Sequence, residues 1–272
     1  MKVLIIDSHN MIHRARFGFG DGEHKIYFNF FRMLMGEFKR HEPDIVYIVD
    51  EGSPTQSLEL MADYKGTRTR LDDPQFHREK AEIFETVKNT SGLVYIQHPD
   101  FEADDVIAYV ANDVHPNDEV VIVSSDTDFI QLISERVKLW EPKKKVFVLQ
   151  WKHADYVTWK ALRGDASDNV PGVKGVGTKT ADMLCANPEL LPGFLDAKPN
   201  RRHDFETSRA VIKLKKIPQQ GLQVIQSDFF VDTFFEEFSR RKCKSIIGKA
   251  WPGWVQRFSD AGGKYGQTDI AS

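Results

Sequence analysis

Carboxylates recur in this chain at the ends of its most hydrophobic segments. Asp7 closes the run KVLIID (2–7), and Asp50 closes DIVYIVD (44–50). Asp126 and Asp128 follow EVVIVSS (119–125), and Glu102, Asp104 and Asp105 open the apolar-periodic stretch FEADDVIAY (101–109). Any one of these residues reads as an ordinary turn or helix-start residue. Gathered at one rim they do not, because close carboxylates raise one another's pKa and resist sharing a site without a counter-charge. An all-oxygen set of this kind suits Mg²⁺ or Mn²⁺ and does not suit zinc. Asp165 and Asp168, in LRGDASDNVPGVKGVGTKTA, extend the acidic set.

The elements that must aim these groups are legible. The runs at 2–7, 44–50, 93–98 and 119–125 are rich in Val, Ile and Tyr and nearly continuous, as in strands buried on both faces. Helical patterns lie between them at 27–41, 73–92 and 103–113; the second starts at an Asp–Pro pair and stops at Gly92. This alternation predicts a parallel α/β sheet, with ligands at the carboxyl ends of its strands. VKLWEP and KVFVLQ, around a Lys-rich turn, predict an edge hairpin. From about 155 the pattern turns helical. We therefore expect a core over 1–154, a helical region over 155–258 and a polar, Gly-rich flexible tail over 259–272.

Net charge is −3, yet the segments at 141–145, 198–216 and 239–244 are strongly basic, so an acidic chain can still present a basic face. No segment approaches the roughly 18 apolar residues of a membrane span, and the N-terminal apolar run is too short for a signal peptide. Cys185 and Cys243 have no metal or redox spacing, which suits a reducing, cytoplasmic setting. The turn holding Gly172, Gly175 and Gly177 is not a P-loop, because Thr178 follows where that motif needs lysine. With Lys179 and Thr180 after it, the turn exposes backbone N–H groups beside a helix start. Such a turn can hold a phosphodiester without reading bases.

Taken in order, DSHNMIHR, VDEG, YKGTR, FEADD, SSDTDFIQL and GDASDNVPGVKGVGTKTA resemble the flap endonuclease or 5′-nuclease family. That family includes the 5′-nuclease domain of bacterial DNA polymerase I and free-standing phage 5′-exonucleases. The match runs from Asp7 to about residue 185. It implies a PIN-like, resolvase-like α/β nuclease core with a helical arch at 64–92, and a smaller region built on a helix–three-turn–helix DNA-binding element.

The resemblance also implies roles. One Mg²⁺ would be held mainly by Asp7, Asp50, Glu102 and Asp104. A second would be approached by Asp105, Asp126, Asp128, Asp165 and Asp168, with Mn²⁺ able to substitute. Lys65 and Arg68 would contact the scissile phosphate, Tyr64 would stack on an unpaired base, and Arg14 would face phosphate. Gly172, Val173, Gly175, Val176 and Gly177, with Lys179 and Thr180, would grip the duplex backbone, with a structural K⁺ at the loop. The implied activity is 5′→3′ exonuclease and flap endonuclease on branched or 5′-ended DNA and RNA–DNA primer duplexes. The protein would be a free-standing monomer working beside replication proteins.

The sequence departs from the family at Ser57, where many relatives carry arginine, and the arch is short. DTFFEEF (232–238) reads as an amphipathic core helix rather than a sliding-clamp peptide. Two other classes stay open: a non-catalytic branched-DNA binding protein, and a small PIN-type ribonuclease. The Gly-rich helical element speaks against the second.

Overall fold

The computed structural model describes residues 1–67, 73–149 and 155–262. Each of the four apolar runs forms a strand: β1 (Lys2–Asp7), β2 (Ile45–Val49), β3 (Val94–Gln97) and β4 (Glu119–Val123). With β5 (Val137–Glu141) they pair in parallel in the order β5-β4-β1-β2-β3. Two antiparallel strands close the edges. β6 (Val146–Phe147) pairs with β5 and completes the expected hairpin, whose last residue, Gln150, lies outside the described residues. β7 (Gln223–Gln226) pairs with β3.

The strand order sets the position of the site. The chain runs from β1 outward through β2 and β3, then returns to lay β4 and β5 on the other side of β1. Connections therefore diverge between β1 and β4, and a crevice opens at their carboxyl ends, where open α/β sheets bind ligands.

The helices are α1 (Ser8–Arg16), α2 (Lys25–His41), α3 (Thr55–Leu60), α4 (Pro74–Thr90) and α5 (Ala103–Tyr109), the last continued by a π turn at Val110–Val114. After β6 come α6 (Tyr156–Arg163), α7 (Thr178–Ala186), α8 (Leu191–Asp196) and α9 (Arg201–Ile212). After β7 come α10 (Val231–Arg240), α11 (Lys244–Ile247) and α12 (Trp251–Gly262). Alternation along the strands builds two cores. Leu4, Ile6, Val46 and Ile48 pack with α1, α2, α4, α10 and α12, while Val3, Ile5, Ile45 and Tyr47 pack with α5, α6 and α9. Among the described residues no helix is long and apolar enough to cross a membrane.

Three features differ from the expected division. The chain after 155 is not a separate helical layer. Its first part shares the α5 face, β7 rejoins the sheet, and α10 and α12 bury Phe234, Phe238 and Phe258 on the α2 face. The stripe in DTFFEEF is the cause: Phe234 and Phe238 both stack edge-on against Phe31. Most of 64–92 is α4, which buries Phe76, Ile83, Phe84 and Val87 along one face and so joins the core, while residues 68–72 of the expected arch lie outside the described residues. Regular structure also continues past 258, since Trp254, Phe258 and Ala261 give α12 its own buried stripe. Residues 263–272 lie outside the described residues.

Candidate metal centre

Asp7, the last residue of β1, does two things at once. Its Oδ1 accepts from the N–H of Asn10 at 3.0 Å and caps α1. Its Oδ2 accepts from the Ser124 hydroxyl at 2.6 Å, across the crevice at the end of β4. Ser124 Oγ in turn accepts from the N–H of Asp126 at 3.0 Å. Asp126 caps the 3₁₀ turn Thr127–Leu132, accepting from the N–H of Asp128 at 2.8 Å. The helix-start role and the rim position thus coincide in the same side chains.

Asp50 follows β2 and accepts from Tyr95 Oη at 2.9 Å and from the N–H of Glu51 at 2.7 Å, with Lys80 Nζ of α4 at 3.2 Å. Gly52 lets this loop meet the segment before α5. A Cβ there would lie 2.0 Å from the His98 carbonyl oxygen and 2.2 Å from that of Phe101. Glu102, at the start of α5, accepts at Oε2 from Tyr64 Oη at 3.2 Å and from the Ser57 hydroxyl at 3.3 Å, and pairs at Oε1 with Lys65 Nζ.

The rim is short of positive charge. Burial lifts the Asp7 carboxyl to about 6, with Asp126 adding to the rise and the Ser124 and Asn10 hydrogen bonds opposing it. Burial also lifts Asp104 well above the usual carboxylate range, reinforced by Asp126, Asp7 and Glu51. Glu51 rises to about 7 through burial and through Glu102 and Asp7, against Lys65 and Lys80. Glu51 was not among the residues expected from sequence; the available signal was its place beside Asp50 at the same strand end.

A second group lies beside the first. Carboxylate oxygens of Asp128, Asp165 and Asp168 fall within 4.8 Å of one another. Lys160 of α6 pairs with Asp128, and with Asp165 at 2.6 Å. Burial pushes Asp165 up, but Lys160 and the Ser167 hydroxyl and N–H outweigh it and hold the carboxyl at about 2. Asp128 rises to about 6 through burial and its acidic neighbours, against Lys160. Lys80 and Lys160 were not expected from sequence; Asp50 and Asp128, which they pair with, are distant from them in the chain.

The remaining expected residues divide. Lys65 adopts a left-handed backbone (φ 54°), and its N–H donates to the Asp168 carbonyl at 2.9 Å, so the YKG turn touches both groups. Tyr64 is 8% exposed, and its Oη also reaches Asp168 at 3.4 Å. It is packed against carboxylates and offers no open face for the expected base stacking. Asp105 is not drawn into either group; its Oδ1 accepts from the N–H of Lys215 at 2.7 Å. Arg14 is half-buried on α1 near Glu37 and Glu141, with burial lowering its pKa. Arg68 lies outside the described residues.

The glycine turn is built on close backbone contact. Gly172 has φ 66°, and a Cβ there would lie 2.4 Å from the Gly164 nitrogen. Val173 and Val176 are buried core residues whose N–H groups donate to the Leu162 and Val173 carbonyls, whereas Gly175, Gly177 and Lys179 are exposed and Thr180 partly so at the start of α7.

Comparisons with known proteins bear on the family and the fold. The family model for the 5′-3′ exonuclease N-terminal resolvase-like domain matches residues 2–162. A 5′-3′ exonuclease of Aquifex aeolicus is 34% identical over 243 residues, covering 79% of this chain and 82% of that protein. The thermostable DNA polymerase I of Thermus thermophilus is 30% identical over 91% of this chain, which spans 31% of that relative's length. Among solved structures, the T5 D15 protein co-crystallised with metal ions overlays with a TM-score of 0.66 at 18% identity, covering 95% of this chain and 100% of that one. Flap endonuclease-1 of Methanococcus jannaschii overlays at 0.61 with 14% identity, covering 94% and 91%.

Proposed function

The chain belongs to the 5′-3′ exonuclease family, and from its rim we propose that it is a metal-dependent, structure-specific 5′-nuclease. It hydrolyses phosphodiester bonds at 5′ flaps, RNA primers or duplex 5′ ends. The observation that carries this reading is the set of carboxylates Asp7, Asp50, Glu102 and Asp104 gathered at the carboxyl ends of the parallel strands, where burial and acidic neighbours lift Asp7, Glu51 and Asp104.

The donor set fits a hard divalent ion: it is all oxygen, it is crowded, and it titrates upward. Asp7, Asp50, Glu102 and Asp104 would hold one Mg²⁺, with Glu51 beside them. Asp126, Asp128, Asp165 and Asp168 would flank a second. Ions bound at such a set activate water and stabilise the leaving oxygen of an in-line phosphodiester displacement. The chain's own residues do the rest. Lys65 sits where an ammonium can meet a phosphate at the rim, its charge maintained by Glu102 against burial. Tyr64 and Ser57 hold Glu102 Oε2, and Tyr95 holds Asp50. The exposed backbone at Gly175 and Gly177, with Lys179, grips duplex phosphates away from the cut. That grip gives affinity without sequence preference and falls with salt.

A 5′-labelled DNA flap incubated with the protein and Mg²⁺ tests this. The expected product is a cut near the flap junction, absent with EDTA and absent in Asp126→Asn. Tight binding with no product in Mg²⁺ or Mn²⁺ would favour a non-catalytic branched-DNA binding protein instead.

A further inference from the structure

The segment after α9 is tied to the rim at several points. Gln131 Nε2 donates to the Asp128 carbonyl at 2.9 Å and to the Ile212 carbonyl at 3.3 Å. The N–H of Leu214 donates to Gln131 Oε1 at 3.1 Å, and the N–H of Lys215 donates to Asp105 Oδ1 at 2.7 Å. Lys215 Nζ donates to Ser57 Oγ at 2.8 Å, and the Ser57 hydroxyl, 1% exposed, donates onward to Glu102 Oε2 at 3.3 Å.

We propose that Lys215 is a positioning residue for the metal centre, orienting Glu102 through Ser57, while its backbone N–H ties the segment to Asp105. A serine hydroxyl has one proton to give. Accepting from an ammonium turns that proton toward Glu102 and sets the orientation of the carboxylate. The hydroxyl also keeps the ammonium one step away from the carboxylate, so Lys215 orients Glu102 without taking the place of an ion. Partners that orient ligating carboxylates in this way govern metal affinity. The tie has a second consequence. α9 packs on α6, and α6 leads into the glycine turn, so the region that would hold the duplex is anchored directly to the carboxylates.

This inference rests on reading the rim as a metal centre, and its test reads metal binding rather than cleavage. Mn²⁺ is titrated calorimetrically into the full chain without DNA. Lys215→Met should raise the Mn²⁺ dissociation constant on the order of tenfold, and Lys215→Arg should restore most of the affinity. Because the two residues act in series, adding Lys215→Met to Ser57→Ala should cost far less than it does alone. Binding of the flap in EDTA should not change. Unchanged Mn²⁺ affinity in Lys215→Met would overturn the proposal, as would strictly additive effects. So would a loss confined to DNA affinity, which would make Lys215 a phosphate contact. A wild-type protein that binds Mn²⁺ but does not cut would overturn the nuclease reading and leave this one standing.

Discussion

At the sheet rim, Asp7, Glu51, Asp104 and Asp126 crowd one another, and burial lifts Asp7 to about 6 and Glu51 to about 7. Beside them, at the start of the helical region, carboxylate oxygens of Asp128, Asp165 and Asp168 lie within 4.8 Å of one another. There Lys160 enters from α6, and Asp165 is held at about 2 although burial acts against it. Crowded carboxylates are thus offset by the protein's own lysines to different degrees in the two groups. Lys160 pairs with both Asp128 and Asp165 and lowers the second, whereas at the rim Lys65 pairs with Glu102 and Lys80 with Asp50, and neither offsets the burial of Asp7, Glu51 or Asp104.

The comparison can be broken most severely at the rim. Asp7→Asn and Asp126→Asn should each reduce flap cleavage to the no-enzyme background while leaving flap binding measurable in a gel-shift assay. Near-normal cutting in both would remove the rim from the chemistry. Next in size is Lys65→Ala, which should slow the single-turnover step by about 10²–10³-fold, as for loss of one transition-state donor. An unchanged rate would leave Lys65 as a counter-ion of Glu102 only.

The third test uses pH. Asp7 holds its proton more tightly folded, at about 6, than unfolded, at 3.8. The folded form therefore binds more protons between these values, and stability falls as pH rises through them. Glu51 extends the window to about 7. Metal-free protein should melt at a higher temperature at pH 5 than at pH 7.5, with a contribution of about 1.4 kcal/mol from Asp7 between these pH values. Mg²⁺ should narrow that gap. Thermal denaturation in EDTA checks the sign. Asp165 behaves oppositely: its stabilisation is present above 3.8 and lost as pH falls toward 2. The smallest effect sharpens this contrast. Asp165→Asn should lower stability at pH 7 by about 1–3 kcal/mol, because it strips Lys160 of one partner, whereas Asp7→Asn should stabilise the metal-free protein.

Much of this arrangement was legible in the sequence because it is local. Continuous Val and Ile runs specified the parallel strands, and a strand end followed by a helix start fixed Asp7, Asp50, Glu102 and Asp126 on one rim. What was not legible depends on long-range packing. β7 has few buried residues and no alternating stripe, so its return to the edge of β3 left no local signal. Lys80 finds Asp50, Lys160 finds Asp128 and Lys215 finds Ser57 across 30 or more residues, pairings no spacing rule reports. The packing of α4 against α2 was likewise not readable from its own residues.

Mn²⁺ titrated calorimetrically into wild type, Asp7→Asn and Asp165→Asn at pH 7 tests the central claim most directly. Wild type should bind with release of protons, as expected where carboxyl groups with raised pKa take up a cation. Asp7→Asn should lose the tight phase, and Asp165→Asn should keep it. A wild-type protein that takes up no Mn²⁺, or an Asp7→Asn variant that binds as well as wild type, would contradict the account.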